Sequence, residues 1–269
     1  VQICFASSEQ ELARIEYAYP ALFLLGSACF SLLQDRSIIA DTFTGFDVGM
    51  YTALHAGEAL SFPDGLYILS KLASFYQSCL THNNFASFRV TGLEEHVVHD
   101  LCQTMSTEEE WAAIGAYEDS TTFIVVGHYN VTEPLREHMH KIRNVKAKRY
   151  PLEAGAFAPL CNDVLAQYKL YLGKIDYHEV THSCIAPDGT YVYSRDAVRE
   201  LLLHTLFQPA YYDRVVASLA KYDAVIVPMP EKKMAEYLQR QLPNTAIYRL
   251  TNMADLDTIE KNVLHRYEE

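Results

Sequence analysis

With 269 residues, 49% of them hydrophobic, the chain can bury the core of one large domain or of two unequal ones. Its 22 basic and 34 acidic residues leave a formal net charge of -12, which argues against general nucleic-acid binding, a function that needs a net basic face. The most apolar run, residues 20–33, is too short to span a membrane, so no membrane partner is expected.

In chain order, the first predicted element is a buried helix from Pro20 to about residue 34. A short strand, Thr42–Phe46, leads into Gly45-Phe46-Asp47-Val48-Gly49. This is the glycine frame of a G-x-S-x-G elbow, a sharp strand-to-helix turn that lifts a serine hydroxyl into a pocket. Asp47 stands at the serine position, so the hydroxyl is lost while Gly45 and Gly49 keep the turn feasible.

A helix over 62–80 follows. From 84 to 150 the pattern reads strand, helix, strand, strand, helix, strand: Phe85–Val90, Glu94–Thr104, Trp111–Tyr117, Thr122–Val126, Pro134–Arg143 and Ala147–Pro151. That is the split βαβ order of a ferredoxin-like unit. The remainder reads as helix 158–171, strand Ile175–Thr181, helix 195–221, strand Ala224–Val227, helix 230–240 and strand Ala246–Leu250. Strands alternating with helices predict an α/β protein. No internal repeat is present. Six cysteines without a close pair (Cys4, Cys29, Cys79, Cys102, Cys161, Cys184) and no recognisable secretory leader fit reduced core residues of a cytoplasmic protein.

Several segments in a fixed order resemble the malonyl-CoA:acyl-carrier-protein transacylase family, which includes the acyltransferase domains of polyketide and fatty acid synthases. They are Glu11–Phe23, Gly49–Asp64, Phe123–His128, Gly155–Phe157, Gln208–Tyr212 and Val227–Tyr237. The resemblance spans nearly the whole chain. It implies the acyltransferase fold, a parallel-sheet, α/β hydrolase-like large domain (1–83 and 151–269) with an inserted ferredoxin-like small subdomain (84–150).

The family's chemistry uses a serine nucleophile, a histidine base, an arginine that clamps the malonyl carboxylate, and oxyanion donors. This chain departs from it at each. Asp47 replaces the serine, Phe46 the polar residue before it, and Met50 the glutamate or glutamine after the second glycine. The arginine position falls at Leu72 and the histidine position at Ala158. The family's small-subdomain asparagine and glutamine fall near Ala116 and Thr122, and its Gly-Pro-Gly turn is Met229-Pro230-Glu231. The glycine- and glutamine-rich first strand has no counterpart in the sequence.

Two readings of Asp47 stand side by side. A carboxylate can be a nucleophile, but hydrolysis of its ester then needs a base. The plainer reading is a polar turn residue left after the serine was lost. Lys71, one residue from the lost arginine, points about 100° away on a helix, which makes it a surface lysine by default. His178-Glu179-Val180-Thr181-His182 matches H-E-x-x-H, but that motif binds zinc only on a helix. On a strand the two rings would lie roughly 13 Å apart, so no metal is expected. Cys161 reads as a buried helix cysteine.

Lys141, Arg143, Lys146, Lys148 and Arg149 form a basic run in an acidic protein. They suit either a solvated helix end or contact with an acidic acyl carrier protein, which the resemblance supplies as a partner. The combined expectation is an acyltransferase-like protein without activity or cofactor. It would act structurally or through binding to an acyl carrier protein or a synthase partner chain, with acyl-CoA as a further ligand. The alternatives are an active acyltransferase or thioester hydrolase with a site rebuilt on Asp47, and a small-molecule sensor using the old acyl pocket.

Overall fold

Apolar side chains that recur every two residues in some segments and every three or four in others divide the chain between strands and helices. In the computed structural model, which describes residues 9–12, 14–82, 84–150, 162–205, 208–228 and 232–264, the strands run in chain order as follows. They are β1 (Thr42–Thr44), β2 (Phe85–Thr91), β3 (Ala112–Asp119), β4 (Thr122–His128), β5 (Lys146–Tyr150), β6 (Ser183–Ile185), β7 (Tyr191–Val192), β8 (Ala210–Tyr211), β9 (Ala224–Pro228) and β10 (Ala246–Leu250).

Two short sheets carry parallel pairs: β1 beside β6, with β7 antiparallel to β6, and β9 beside β10. The third sheet has the order β5-β2-β4-β3-β8 and is antiparallel except for the β3–β8 pair. Central β4 is flanked by strands on both edges and by helices over the sheet. Its residues Thr122–Gly127 are accordingly buried, which explains the continuous apolar run. Phe88, Val90, Phe123 and Val125 pack there against Val98, Leu135 and Met139 of helices Glu95–Met105 and Tyr129–His140.

The sheet end near β8 is tied to the rest of the chain. Tyr117 stacks on Tyr211 with ring centroids 4.7 Å apart, and Arg214 lies over the Tyr211 ring at 3.9 Å. The Tyr237 hydroxyl donates to the Glu118 carbonyl at 2.6 Å, while the Arg89 guanidinium holds the Glu118 carboxylate with both Nε and Nη2.

Helix Ile15–Asp35 begins five residues ahead of the expected start. Pro20 lies in the second turn of the helix, where it removes the main-chain bond that residue 20 would donate to the Glu16 carbonyl. At 21 residues the helix is long and apolar enough, by length and composition, to cross a membrane, unlike the shorter run read from the sequence. One side, with Tyr19, Phe23, Gly26, Ser27 and Cys29, is buried, and the other is exposed, so the helix is not buried all round. A Cβ on Gly26 would lie 2.8 Å from Thr52 Cγ2, so the close crossing with helix Val48–Ala56 requires glycine there.

Three further expectations need correction. Ile175–Thr181 is no strand. His178 and Thr181 N–H donate to the Ala59 and Gly57 carbonyls of the turn after helix Val48–Ala56, and Val180 N–H donates to Tyr193, so the segment is tied to a turn and to a second stretch rather than to a strand. The single helix expected over 195–221 is two, Arg195–His204 and Tyr212–Leu219, with β8 between them. Pro209 lacks the N–H that a continuous helix would need. Cys79 is disulfide-bonded, so the six cysteines are not all reduced.

Candidate functional site

Strand β1 ends at Thr44, and the chain reverses through Gly45–Asp47 into helix Val48–Ala56. Asp47 has φ 51° and ψ −121°, outside the ordinary wells of a side-chain-bearing residue. Such a conformation costs on the order of 1–3 kcal/mol and persists only where its surroundings impose it. Here the turn is clamped by Gly49 N–H to the Phe46 carbonyl at 2.9 Å and Met50 N–H to the Asp47 carbonyl at 3.0 Å. A Cβ on Gly45 would stand 2.2 Å from the Gly49 carbonyl group, so only glycine fits. A Cβ on Gly49 meets nothing within 4 Å. The two elbow glycines are therefore unequal, and Gly45 is the one that the turn requires.

Asp47 occupies the N-cap position of its helix, yet its side chain makes no cap bond. Its carboxylate instead accepts a 2.7 Å hydrogen bond from the Tyr19 hydroxyl. Tyr19 lies edge-on to Tyr76, with centroids 6.4 Å apart, and the Tyr51 and Tyr168 hydroxyls are 2.6 Å apart. All four rings are buried. Burial first, then the Asp47 charge, pushes the Tyr19 and Tyr76 hydroxyls well above the usual phenol range. Tyr51 rises through burial, then Tyr168, then Asp47, and Tyr168 rises through burial. These phenols remain neutral at ordinary pH, and Tyr19 stays a proton donor to Asp47. No simple sequence pattern marks them. The signals present are an abundance of tyrosine, 19 in all, and the placing of Tyr51 one helical turn after Asp47.

Met50 and Leu72 are buried in the same apolar cluster as Tyr19, Tyr51, Tyr76 and Tyr168. The position that the resemblance gives to a carboxylate-clamping arginine thus holds a core side chain. Phe46 is half-buried, edge-on to Tyr212 at 4.2 Å. Lys71 lies over the rings of Tyr67 and Tyr171, at 5.8 and 5.5 Å, an aromatic seat of its own. Ala158, Cys161 and Met229–Glu231 lie outside the described residues. Ala116 and Thr122 are buried on β3 and β4.

His178 and His182 lie neither on a helix nor on a strand, and His182 packs against Phe43. Among the described residues no group of three or more His, Cys, Asp or Glu is placed to hold a metal ion. His55, on the helix that follows Asp47, is engaged by the Leu60 carbonyl at 3.0 Å and by the rings of Phe23, Phe30 and Phe62.

The basic run lies elsewhere, at the edge of the antiparallel sheet. Lys141 and Arg143 are exposed in the turn after helix Tyr129–His140, and Lys146 and Lys148 are exposed on edge strand β5. Arg149 pairs with Glu133, which also binds Arg136. The two arginines hold the Glu133 carboxyl down at about 2. Phe46, Asp47 and Met50 thus share the elbow, Leu72 lies in the core cluster of Met50 while Phe46 packs against another, and the five cations lie at the edge of the separate antiparallel sheet.

No family model matches the chain. The malonyl CoA-acyl carrier protein transacylase of Bacillus subtilis is 22% identical over 220 residues, which cover 81% of this chain and 69% of that protein. Further relatives are spanned over only 61% and 58% of their length. The solved malonyl CoA-acyl carrier protein transacylase of Clostridium perfringens superposes with a TM-score of 0.89 at 17% identity, covering 99% of this chain and 84% of that one. A malonyl-transacylase solved in complex with its type II PKS acyl-carrier protein superposes with a TM-score of 0.86 at 15% identity, covering 96% and 84%. The sequence and structural neighbours of this chain are thus malonyl-CoA:acyl-carrier-protein transacylases, and its fold is the α/β acyltransferase fold.

Proposed function

We propose that this protein is a malonyl-transacylase-like chain without acyl transfer activity, with a structural or protein-binding role in a fatty acid or polyketide synthesis system. The observation that carries the reading is the Tyr19–Asp47 hydrogen bond at the elbow, together with a buried leucine, Leu72, at the position that the resemblance gives to the arginine. Acyl transfer from a thioester needs a nucleophile that a base can deprotonate. A malonyl group also needs a cation for its carboxylate. Asp47 brings a carboxylate in place of a hydroxyl, and Leu72, at the position that the resemblance gives to that cation, carries no charge. Loss of several members of one catalytic unit costs several powers of ten in rate.

The exposed Lys141, Arg143, Lys146 and Lys148 supply positive charge for an acidic carrier protein. The acyl-carrier-protein complex of a structural neighbour supports that class of partner.

A second reading is favoured by the Asp47 backbone, which keeps the strained presentation of an elbow. In that reading Asp47 attacks an acyl carbon. One experiment separates the two: incubation with radiolabelled malonyl-CoA and acetyl-CoA, with measurement of protein-bound label and CoA release. Absence of both supports the inactive reading. Turnover that Asp47→Asn abolishes would sink it.

A further inference from the structure

The tyrosines around Asp47 do not stop at the elbow. Tyr19 lies edge-on to Tyr76 at 6.4 Å. Tyr51, one helical turn after Asp47, has its hydroxyl 2.6 Å from that of Tyr168. Tyr168 and Tyr171 are three residues apart on helix Asn162–Leu172, which makes their side chains neighbours. The Tyr171 ring lies 6.0 Å from that of Tyr67, on helix Phe62–His82. Tyr67 is 41% exposed, whereas Tyr19, Tyr51, Tyr76 and Tyr168 are buried. Aromatic rings therefore run from the surface to the elbow.

We infer that this array is a redox relay, in which Tyr67 and Tyr171 pass oxidising equivalents inward and Tyr19 holds them as a neutral phenoxyl radical, with Asp47 as proton acceptor. A phenol that loses an electron becomes a strong acid. It is oxidised most readily where a base within hydrogen-bond reach already takes its proton. The Tyr19–Asp47 bond of 2.7 Å meets that condition inside the core. The oxidant is a one-electron acceptor from solution, such as the carbonate radical, which takes an electron from Tyr67 and becomes carbonate. An electron from Tyr19 then refills Tyr67 by way of Tyr51, Tyr168 and Tyr171, and the Tyr19 hydroxyl proton moves to the Asp47 carboxylate. A thiol later returns one electron, itself becoming a thiyl radical, and the proton goes back to Tyr19.

Charge sets the direction. Lys71 lies over the rings of Tyr67 and Tyr171 at 5.8 and 5.5 Å, and Lys174 lies over Tyr171 at 5.1 Å. These ammonium groups oppose positive charge on the outer rings, whereas the Asp47 carboxylate favours it at Tyr19. Burial then keeps the Tyr19 phenoxyl from coupling with a second radical, as an exposed one does to give dityrosine. Tyr117 also donates to a carboxylate, Glu95 at 3.0 Å, but it lies on β3, outside this array. The relay is independent of whether acyl transfer remains.

Flash oxidation of the full chain with ruthenium trisbipyridine and persulfate, followed by freeze-quench electron paramagnetic resonance, tests this. The expected signal is a long-lived neutral tyrosyl radical that Tyr19→Phe removes, with a rise in dityrosine fluorescence as oxidation is left at the surface. Asp47→Asn keeps a hydrogen-bond acceptor but takes up no proton, so it should remove the long-lived signal too. It decides the matter if circular dichroism shows that Tyr19→Phe does not fold. Tyr67→Phe, at an exposed position, should lower the yield of the radical. A long-lived signal that survives in either folded variant at 19 or 47 overturns the proposal, as does one that Tyr117→Phe removes. Absence of a long-lived radical in the unsubstituted protein equally overturns it. A yield that Tyr67→Phe leaves unchanged overturns the route through Tyr171.

Discussion

The Tyr19 hydroxyl and the Asp47 carboxylate meet at 2.7 Å across 28 positions of sequence, joining the helix before the elbow to the elbow itself. The bond turns the carboxylate away from the N-terminus of its own helix, where an aspartate would ordinarily cap. Tyr19→Phe should destabilise the protein by about 1–3 kcal/mol, since a buried phenol donating to a charged acceptor is lost. Urea denaturation of the two proteins measures this. A difference within error would mean that the bond contributes nothing to the fold.

Asp47→Ser rebuilds the glycine–serine–glycine frame yet should leave the protein without malonyl transfer, because Leu72 still offers no cation to the malonyl carboxylate. Label transfer from malonyl-CoA is the readout. Labelling of the variant would show that one substitution alone silences the site.

The elbow glycines should respond oppositely to alanine. Gly45→Ala drives a methyl into the Gly49 backbone at 2.2 Å, neither side of which can yield, and should cost more than about 3 kcal/mol or prevent folding. Gly49→Ala meets open space and should change stability little or raise it slightly, by removing backbone freedom from the unfolded chain. Thermal melting of the pair decides the matter.

Alkali should unfold the protein through its tyrosines. Tyr19, Tyr51, Tyr76 and Tyr168 have folded-state pKa values raised well above 10. Above pH 10 the unfolded chain therefore gives up protons that the folded chain keeps, and stability falls as pH rises. Their contribution is fully present below pH 10. Absorbance titration of phenolate should show a set of tyrosines that ionises only together with loss of the circular dichroism signal. Smooth ionisation of all 19 in the folded state would contradict the buried cluster.

Acid should act at Glu133. Its folded pKa of about 2 lies below the ordinary 4.5, so its stabilising share is present above pH 4.5 and is lost as pH falls toward 2. Glu133→Gln should flatten the stability profile across that window. Added salt should shrink the difference, because Arg149 is largely exposed. An identical acid profile for both proteins would show that the pairing with Arg136 and Arg149 is energetically silent.

What could be read from sequence depended on how local the cause was. The apolar run of β4 and the helix over 62–82 announce themselves because burial imposes composition on consecutive residues. Ile175–Thr181 has strand composition without a strand, because its backbone bonds go to the turn at Gly57 and Ala59 and to Tyr193 rather than to a neighbouring strand along its length. At the candidate site, Asp47 was visible as a departure from a motif. Tyr19, its partner, was not, because nothing local ties a helix residue to a turn beyond the next strand. The loss of an arginine was legible at position 72, but only packing reveals that Leu72 became part of the core.

The junction at β8 has a mechanical consequence. Backbone pairing of Ala116 and Tyr117 with Ala210 and Tyr211, the ring stack and the Tyr237 bond all load the same short stretch of β3. Because these contacts act side by side, separating that end of the antiparallel sheet from both β8 and Tyr237 must break them together. The sheet is thus fastened to the rest of the chain at one corner by three kinds of contact at once.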